Sequence, residues 1–374
     1  MNIPVFKPYL SELETSAAIK ALQLGWLGPG SYVKEFEQMI SDLLALKNKH
    51  VVAVNTGTSA VHLALKISGV SYGDEVITPS FNNIADFQAI KMLGADPVFC
   101  DILKDTLVID PNTIEPLISA KTKAIICLDY GAALCDYDLV KSIADKYSIP
   151  VVHDAAHAFG SELNNNKVGS YSDICAFSFD PVKNITCIDG GAVIVESIDL
   201  AKKLQSMRLL GQQQNVDILY ENKRSWTYDV DDFGYRYHLA NLHAAIGVQQ
   251  IKKIEHIAAK RRSIFNCYIN NLSDIDGLIL PKMTSNQVIP FIFVVRILNE
   301  KRDDFRQFLL QNGVDTGIHW QPGHKFSFFN NCKKSDLKIT DQISTEIVTL
   351  PMFPDLSESN LNKIIEVIKK YFRS

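Results

Sequence analysis

The chain lacks any apolar run long enough to cross a bilayer, which excludes a membrane-spanning helix on length alone. Basic charge is thin as well. Its 38 Lys and Arg stand against 42 Asp and Glu, a net charge of −4, and no Lys/Arg block interrupts the sequence, so no nucleic-acid or membrane partner is expected. Any anionic ligand must be met by groups gathered locally. Seven cysteines, an odd number without one Cys-x-x-Cys pair, exclude a disulfide framework and a zinc ribbon. They read as reduced, mostly buried thiols, and no metal site is expected. Met1-Asn2-Ile3-Pro4-Val5-Phe6-Lys7-Pro8 has no basic segment leading into an apolar core, so the expected location is the cytoplasm. Repeats, low-complexity tracts and flexible linkers are also missing, and the polar stretch 212–225 reads as a mobile loop.

What is present is a globular composition, 47% hydrophobic and 21% charged. At 374 residues the chain exceeds one usual core, so we expect a large domain over 1–245 and a smaller one over 246–374. Short apolar runs at 51–54, 75–78, 97–100, 124–128, 150–154, 175–179 and 192–195 read as buried strands. Between them, 59–67, 84–93 and 137–147 carry helical spacing, the pattern of a mostly parallel α/β sheet with helices on both faces. A long helical stretch over 239–271, a strand within 289–297 and a closing helix over 359–372 suggest a smaller α+β unit.

Ligands in such sheets collect beyond the strand carboxyl ends, and three chemistry-bearing segments fall there. The first is Phe177-Ser178-Phe179-Asp180-Pro181-Val182-Lys183, followed by Asp189-Gly190-Gly191. The second is Asp154-Ala155-Ala156-His157, which ends another apolar run. A lysine and an aspartate so placed suit pyridoxal phosphate: the amine condenses with the aldehyde, and the carboxylate keeps the ring nitrogen protonated as an electron sink. The third is Asn55-Thr56-Gly57-Thr58-Ser59, where a strand gives way to a helix and backbone N–H groups at Gly57 and Thr58 suit a phosphate. Each segment has a plainer reading. Lys183 alone is a surface charge, Asp154 a helix cap, His157 a core histidine and Gly57 a turn glycine after a Ser/Thr cap.

Taken in order, several motifs resemble the DegT/DnrJ/StrS sugar aminotransferases. They are Gly25-Trp26-Leu27-Gly28-Pro29-Gly30, Asn55-Thr56-Gly57-Thr58-Ser59-Ala60, Gly73-Asp74-Glu75-Val76, Asp154-Ala155-Ala156-His157, Ser178 five residues before Lys183, Gly234-Tyr235-Arg236-Tyr237 and Leu350-Pro351-Met352-Phe353-Pro354. The resemblance implies a fold like aspartate aminotransferase and a homodimer with shared active sites. It also implies amino transfer from L-glutamate, leaving 2-oxoglutarate, to a nucleotide-linked ketosugar of the kind used for surface polysaccharides. It assigns Lys183 to the covalent link and proton shuttle, Asp154 to the ring nitrogen, His157 to the ring oxygen and Ser178 to the phosphate. Arg236 or His238 would reach a neighbouring subunit's phosphate, and His319, Trp320, His324 and Lys325 the sugar nucleotide. Asn83 stands where relatives carry an aromatic on the ring face, and Asp180 and Asp189 also depart from the pattern. A dehydratase of the same family is disfavoured because it carries histidine where Lys183 stands; a cofactor-binding protein without catalysis is the other reading.

Overall fold

A computed structural model describes residues 2–213 and 215–373. The large domain is built on a seven-stranded sheet, and its strands are β1 His50–Val54, β2 Glu75–Pro79, β3 Asp96–Cys100, β4 Thr122–Leu128, β5 Val151–Asp154, β6 Ile174–Ser178 and β7 Gly191–Val195. Their spatial order is β1-β7-β6-β5-β4-β2-β3, parallel except that β7 runs antiparallel to both neighbours. The strands are apolar throughout because both faces are covered. Alternate side chains point to opposite faces of a pleated strand. Val52, Val54, Val76, Ile126, Val152, Ala176 and Val193 share one core with Ala60 and Leu63 of helix Gly57–Ile67. Their neighbours Val51, Ala53, Phe177 and Ile194 face the other way, against Phe36 of helix Ser31–Leu43 and Val248 of helix Asn241–Lys252.

The small domain is a three-stranded antiparallel sheet, β8 Leu278–Ile279, β9 Phe293–Ile297 and β10 Ile347–Leu350. Helices Ile254–Leu272, Arg302–Gln311 and Glu358–Arg373 pack on it through Phe265, Tyr268, Phe305, Leu309, Ile364 and Ile368. The boundary expected at 245/246 falls inside helix Asn241–Lys252, which packs on helices Glu12–Leu24 and Ser31–Leu43 of the large domain. The hand-over comes one helix later, because the helical stretch is two helices that meet at Lys253.

Of two further expectations, the strand within 289–297 is found and the loose loop is not. Of the run 289–297 only Phe293–Ile297 is strand. Pro290 cannot donate to a ladder, and the Phe291 N–H instead binds the Gly131 carbonyl at 2.9 Å, turning that ring toward the large domain. Of the stretch 212–225, where 214 lies outside the described residues, the part from 216 to 222 is anchored rather than loose. It contains helix Val216–Tyr220, the buried Arg208 guanidinium donates to the Tyr220 hydroxyl at 2.8 Å, and Asn222 accepts from the Ser31 N–H at 2.9 Å. Five of the seven cysteines are buried and none forms a disulfide.

Candidate active site

Strand ends and helix starts converge on one cavity of about 340 Å³, at the carboxyl edge of β1, β4, β5 and β6. Its wall includes Gly57, Thr58, Asn83, Asp154, His157, Ser178, Lys183, His319 and Trp320. Residues far apart in the chain meet here because each follows a parallel strand whose carboxyl end faces the same way.

At one end lies the start of helix Gly57–Ile67, capped by Thr56, whose hydroxyl accepts the Ser59 N–H at 2.9 Å. A Cβ added at Gly57 would sit 2.6 Å from the Ser178 Cβ, so only glycine lets this helix start and the Ser178 hydroxyl come together. Lys183 is half-buried on the same wall, its Nζ 4.5 Å from the centroid of the Phe291 ring. Desolvation pulls its pKa down to about 8, opposed by the nearby carboxylates of Asp154 and Asp180. Near neutral pH such an amine is neutral, and hence nucleophilic, in about a tenth of molecules, a far larger share than for an unshifted lysine.

Asp154 is buried and accepts the Ala156 N–H at 2.9 Å. Burial raises its pKa. His157 is also buried and held below the usual histidine range, first by burial and then by Lys183 and His319. The Gly131 N–H lies 3.2 Å from its Nδ1, which assigns that nitrogen as acceptor and places the proton of the neutral ring on Nε2. His157 packs against Phe291 and Trp320, with ring centroids 4.3 and 5.1 Å apart. His319 is pulled down to about 4 by burial and then by Lys183, and its Nδ1 is 2.9 Å from the Thr349 hydroxyl.

Asn83 lines the cavity but is the N-cap of helix Ile84–Met92, its Oδ1 accepting the Ala85 N–H at 2.9 Å. Aromatic surface on the wall comes from elsewhere, from Phe6, Phe177, Phe291 and Trp320. Sequence reasoning missed Phe6 and Phe291, which are far from the strand-end motifs, and Asp86, which reads as an ordinary acid in a first helical turn.

Four expected site residues lie outside this cavity. His324 and Lys325 bind the Asp341 carboxylate at 3.2 and 2.7 Å, and His324 also meets the Ser80 hydroxyl at 2.7 Å and Lys325 the Ser344 hydroxyl at 3.0 Å. They tie helix Lys338–Glu346 to the end of β2, a pairing between segments too far apart in the chain to be foreseen. Arg236 is exposed, and His238 pairs through its backbone with Val54, beside the phosphate-type helix start.

The residues fit pyridoxal phosphate, since a reactive amine, a buried carboxylate, a neutral imidazole donor and a glycine-cradled helix start share one cavity. A type I, aspartate-aminotransferase-like sheet with such a site defines a pyridoxal-phosphate enzyme. Residues 8–369 match the DegT/DnrJ/EryC1/StrS aminotransferase family, and the chain belongs to it. Its cofactor is pyridoxal 5′-phosphate. The uncharacterised protein MJ1066 of Methanocaldococcus jannaschii is 30% identical over 376 residues, covering 98% of this chain and 97% of its own. The aminotransferase TlmJ from Streptoalloteichus hindustanus superposes with a TM-score of 0.91 at 28% identity, covering 98% of each chain. Spr1654 of Streptococcus pneumoniae, described as a candidate sugar aminotransferase and solved in its pyridoxal-phosphate form, gives 0.91 at 26% identity over 100% of this chain and 99% of its own. No helix among the described residues is long and apolar enough to cross a membrane.

Proposed function

We propose that the chain transfers an amino group from L-glutamate to carbon 3 or 4 of a nucleotide-linked keto-deoxysugar, yielding an aminosugar for surface polysaccharide and 2-oxoglutarate as by-product. The observation that carries the reading is Lys183, a half-buried amine of lowered pKa sharing one cavity with Asp154 and a helix N-terminus. Bound pyridoxal phosphate supplies an electron sink conjugated to the substrate carbon. Gly57, Thr58 and the Ser178 hydroxyl would hold its phosphate, Asp154 its ring nitrogen, and the Nε2–H of His157 its ring oxygen. Lys183 would make the covalent link and, once released, would take a proton from the amino donor's α-carbon and return it to the carbon on the far side of the nitrogen, as base and then acid. In the second half the same amine runs the transfer in reverse on the sugar. His319 and Trp320 offer the sugar a neutral imidazole and an aromatic face.

Lys183 is the only Lys or Arg among the described residues lining the cavity, against the carboxyls of Asp86, Asp154, Asp180 and Asp189. A phosphate dianion there calls for another positive group. We infer a homodimer in which Arg236 of a second copy supplies it, while His238, lowered to about 4 by burial and then by Arg236, could offer only a neutral imidazole; the exposed Trp226 and Phe233 near that segment, at 83% and 67%, suit burial against that copy. A cytoplasmic location accords with soluble nucleotide-sugar substrates.

The test is incubation with glutamate and a panel of nucleotide ketosugars, read by product mass. Conversion of one ketone to an amine is expected. If glutamate is consumed but no sugar is aminated, the acceptor is wrong; if the cofactor's visible absorbance ignores glutamate, the chain binds the cofactor without transaminating.

A further inference from the structure

Asp86 is out of place for its position. Helix Ile84–Met92 begins after Asn83, so Asp86 falls in the first turn, where an acid ordinarily faces water and favours the helix dipole. In a capping box it would reach back to the N-cap N–H. Here the Asn83 N–H is taken by the Asn82 Oδ1 at 2.5 Å, and Asp86, 1% exposed, turns into the cavity. Asn82 is itself fully buried and donates from Nδ2 to the Asp86 Oδ2 at 2.7 Å and to the Thr78 hydroxyl at 3.3 Å. Asp86 shares the cavity wall with Asp154 and lies within hydrogen-bonding reach of it.

Two carboxyls cannot hydrogen-bond unless one carries a proton. Asp154 accepts the Ala156 N–H and is favoured as the charged form by Lys183 more strongly than Asp86 is, whereas Asp86 is raised well above the usual range by burial and then by the Asp154 charge. The charged groups facing Asp86 are Asp154 and Lys183, with Asp180, Asp189 and the neutral His157 further round the wall.

We propose that Asp86 is a positioning residue for Asp154, a neutral acid that donates a hydrogen bond to the Asp154 carboxylate and fixes it to face the cofactor's ring nitrogen. The donated bond weakens Asp154 as a base, so the shared proton stays on the ring nitrogen rather than crossing to Asp154. The inference rests on the site reading above and deepens it.

The experiment compares the parent with Asp86→Asn, which keeps a donor, and Asp86→Ala, which removes it. In the cofactor-free protein, a carboxyl raised in the folded state makes stability fall as pH rises from its unfolded value near 3.8 to its folded value, then level off. Asp86→Asn cannot titrate, so its melting temperature minus the parent's should grow through that window and then stay flat. In the loaded protein, the visible absorbance should keep its pH titration in Asp86→Asn and shift by about one pH unit in Asp86→Ala, with amino transfer about tenfold slower in the latter. Parallel stability curves for parent and Asp86→Asn would overturn the neutral-acid assignment. Equal spectra in all three would overturn the positioning role, and an Asp86→Asn as damaged as Asp86→Ala would mean that Asp86 works as an anion. A parent that takes up no pyridoxal phosphate would overturn the site reading instead, leaving the cofactor-free curves to decide the hydrogen bond.

Discussion

His153 and Asp154 are consecutive on one strand yet belong to different environments, because adjacent strand residues point to opposite faces. His153 enters the closed core, where its Nε2 meets Asp129 at 2.9 Å and its Nδ1 the Ser172 hydroxyl at 2.6 Å. Burial lowers its pKa, but the Asp129 charge and hydrogen bond overcome that and hold it well above the usual histidine value. Asp154 opens onto the cavity, next to a second carboxyl and an amine of lowered pKa. The first region is a compensated charge pair and does structural service. In the second, several carboxyls face a single amine, and such an imbalance is how a site advertises a ligand.

The comparison can be broken most forcefully at the amine. Lys183→Ala should abolish covalent cofactor capture and essentially all amino transfer while leaving the cofactor-free protein folded. Measurable turnover in that variant would remove Lys183 from the chemistry.

Next come the two carboxylates. Asp154→Asn should cut amino transfer by several orders of magnitude with modest loss of cofactor, since an amide cannot hold the ring proton. Asp129→Asn should do the opposite, costing about 3 kcal/mol of stability through the stranded His153 while sparing the bound cofactor's absorbance. Unfolding experiments and single-turnover rates on the two variants separate these outcomes; matching losses would erase the distinction between the regions.

Capture of added pyridoxal phosphate gives a subtler handle. Only the neutral amine attacks, so the rate should climb with pH through about 8 and then level off, whereas an unshifted lysine would keep climbing toward 10.5. A stopped-flow pH series decides.

The smallest effect is at Asn83. Asn83→Phe should tighten cofactor retention by up to about 1 kcal/mol through stacking. It should also lose about 1 kcal/mol of stability, because the Ala85 N–H loses its cap. Unchanged retention with the stability loss alone would show that Asn83 serves the helix and not the ring.

Much of this was legible along the chain. Strand ends fall within two residues of the apolar runs, because strands buried on both faces must be continuously apolar. Lys183, Asp154 and Gly57 were legible too, as each sits at a strand end where an α/β sheet places ligands. Asp86 was not, since an acid three residues after an Asn cap looks solvated until the fold buries it. Nor was the fate of His324 and Lys325, whose histidine, lysine and tryptophan neighbourhood suits an anion equally well until Asp341 is seen to take both.

Sequence alone determined the strand and helix order, the family, and the residue types that can carry pyridoxal-phosphate chemistry, because periodicity and local motifs are properties of neighbours in the chain. Only the tertiary structure decided which charges are compensated. That depends on partners such as Asp129 for His153, Asp86 for Asp154 and Phe291 for Lys183, which lie 24, 68 and 108 positions away and meet only when the sheet closes.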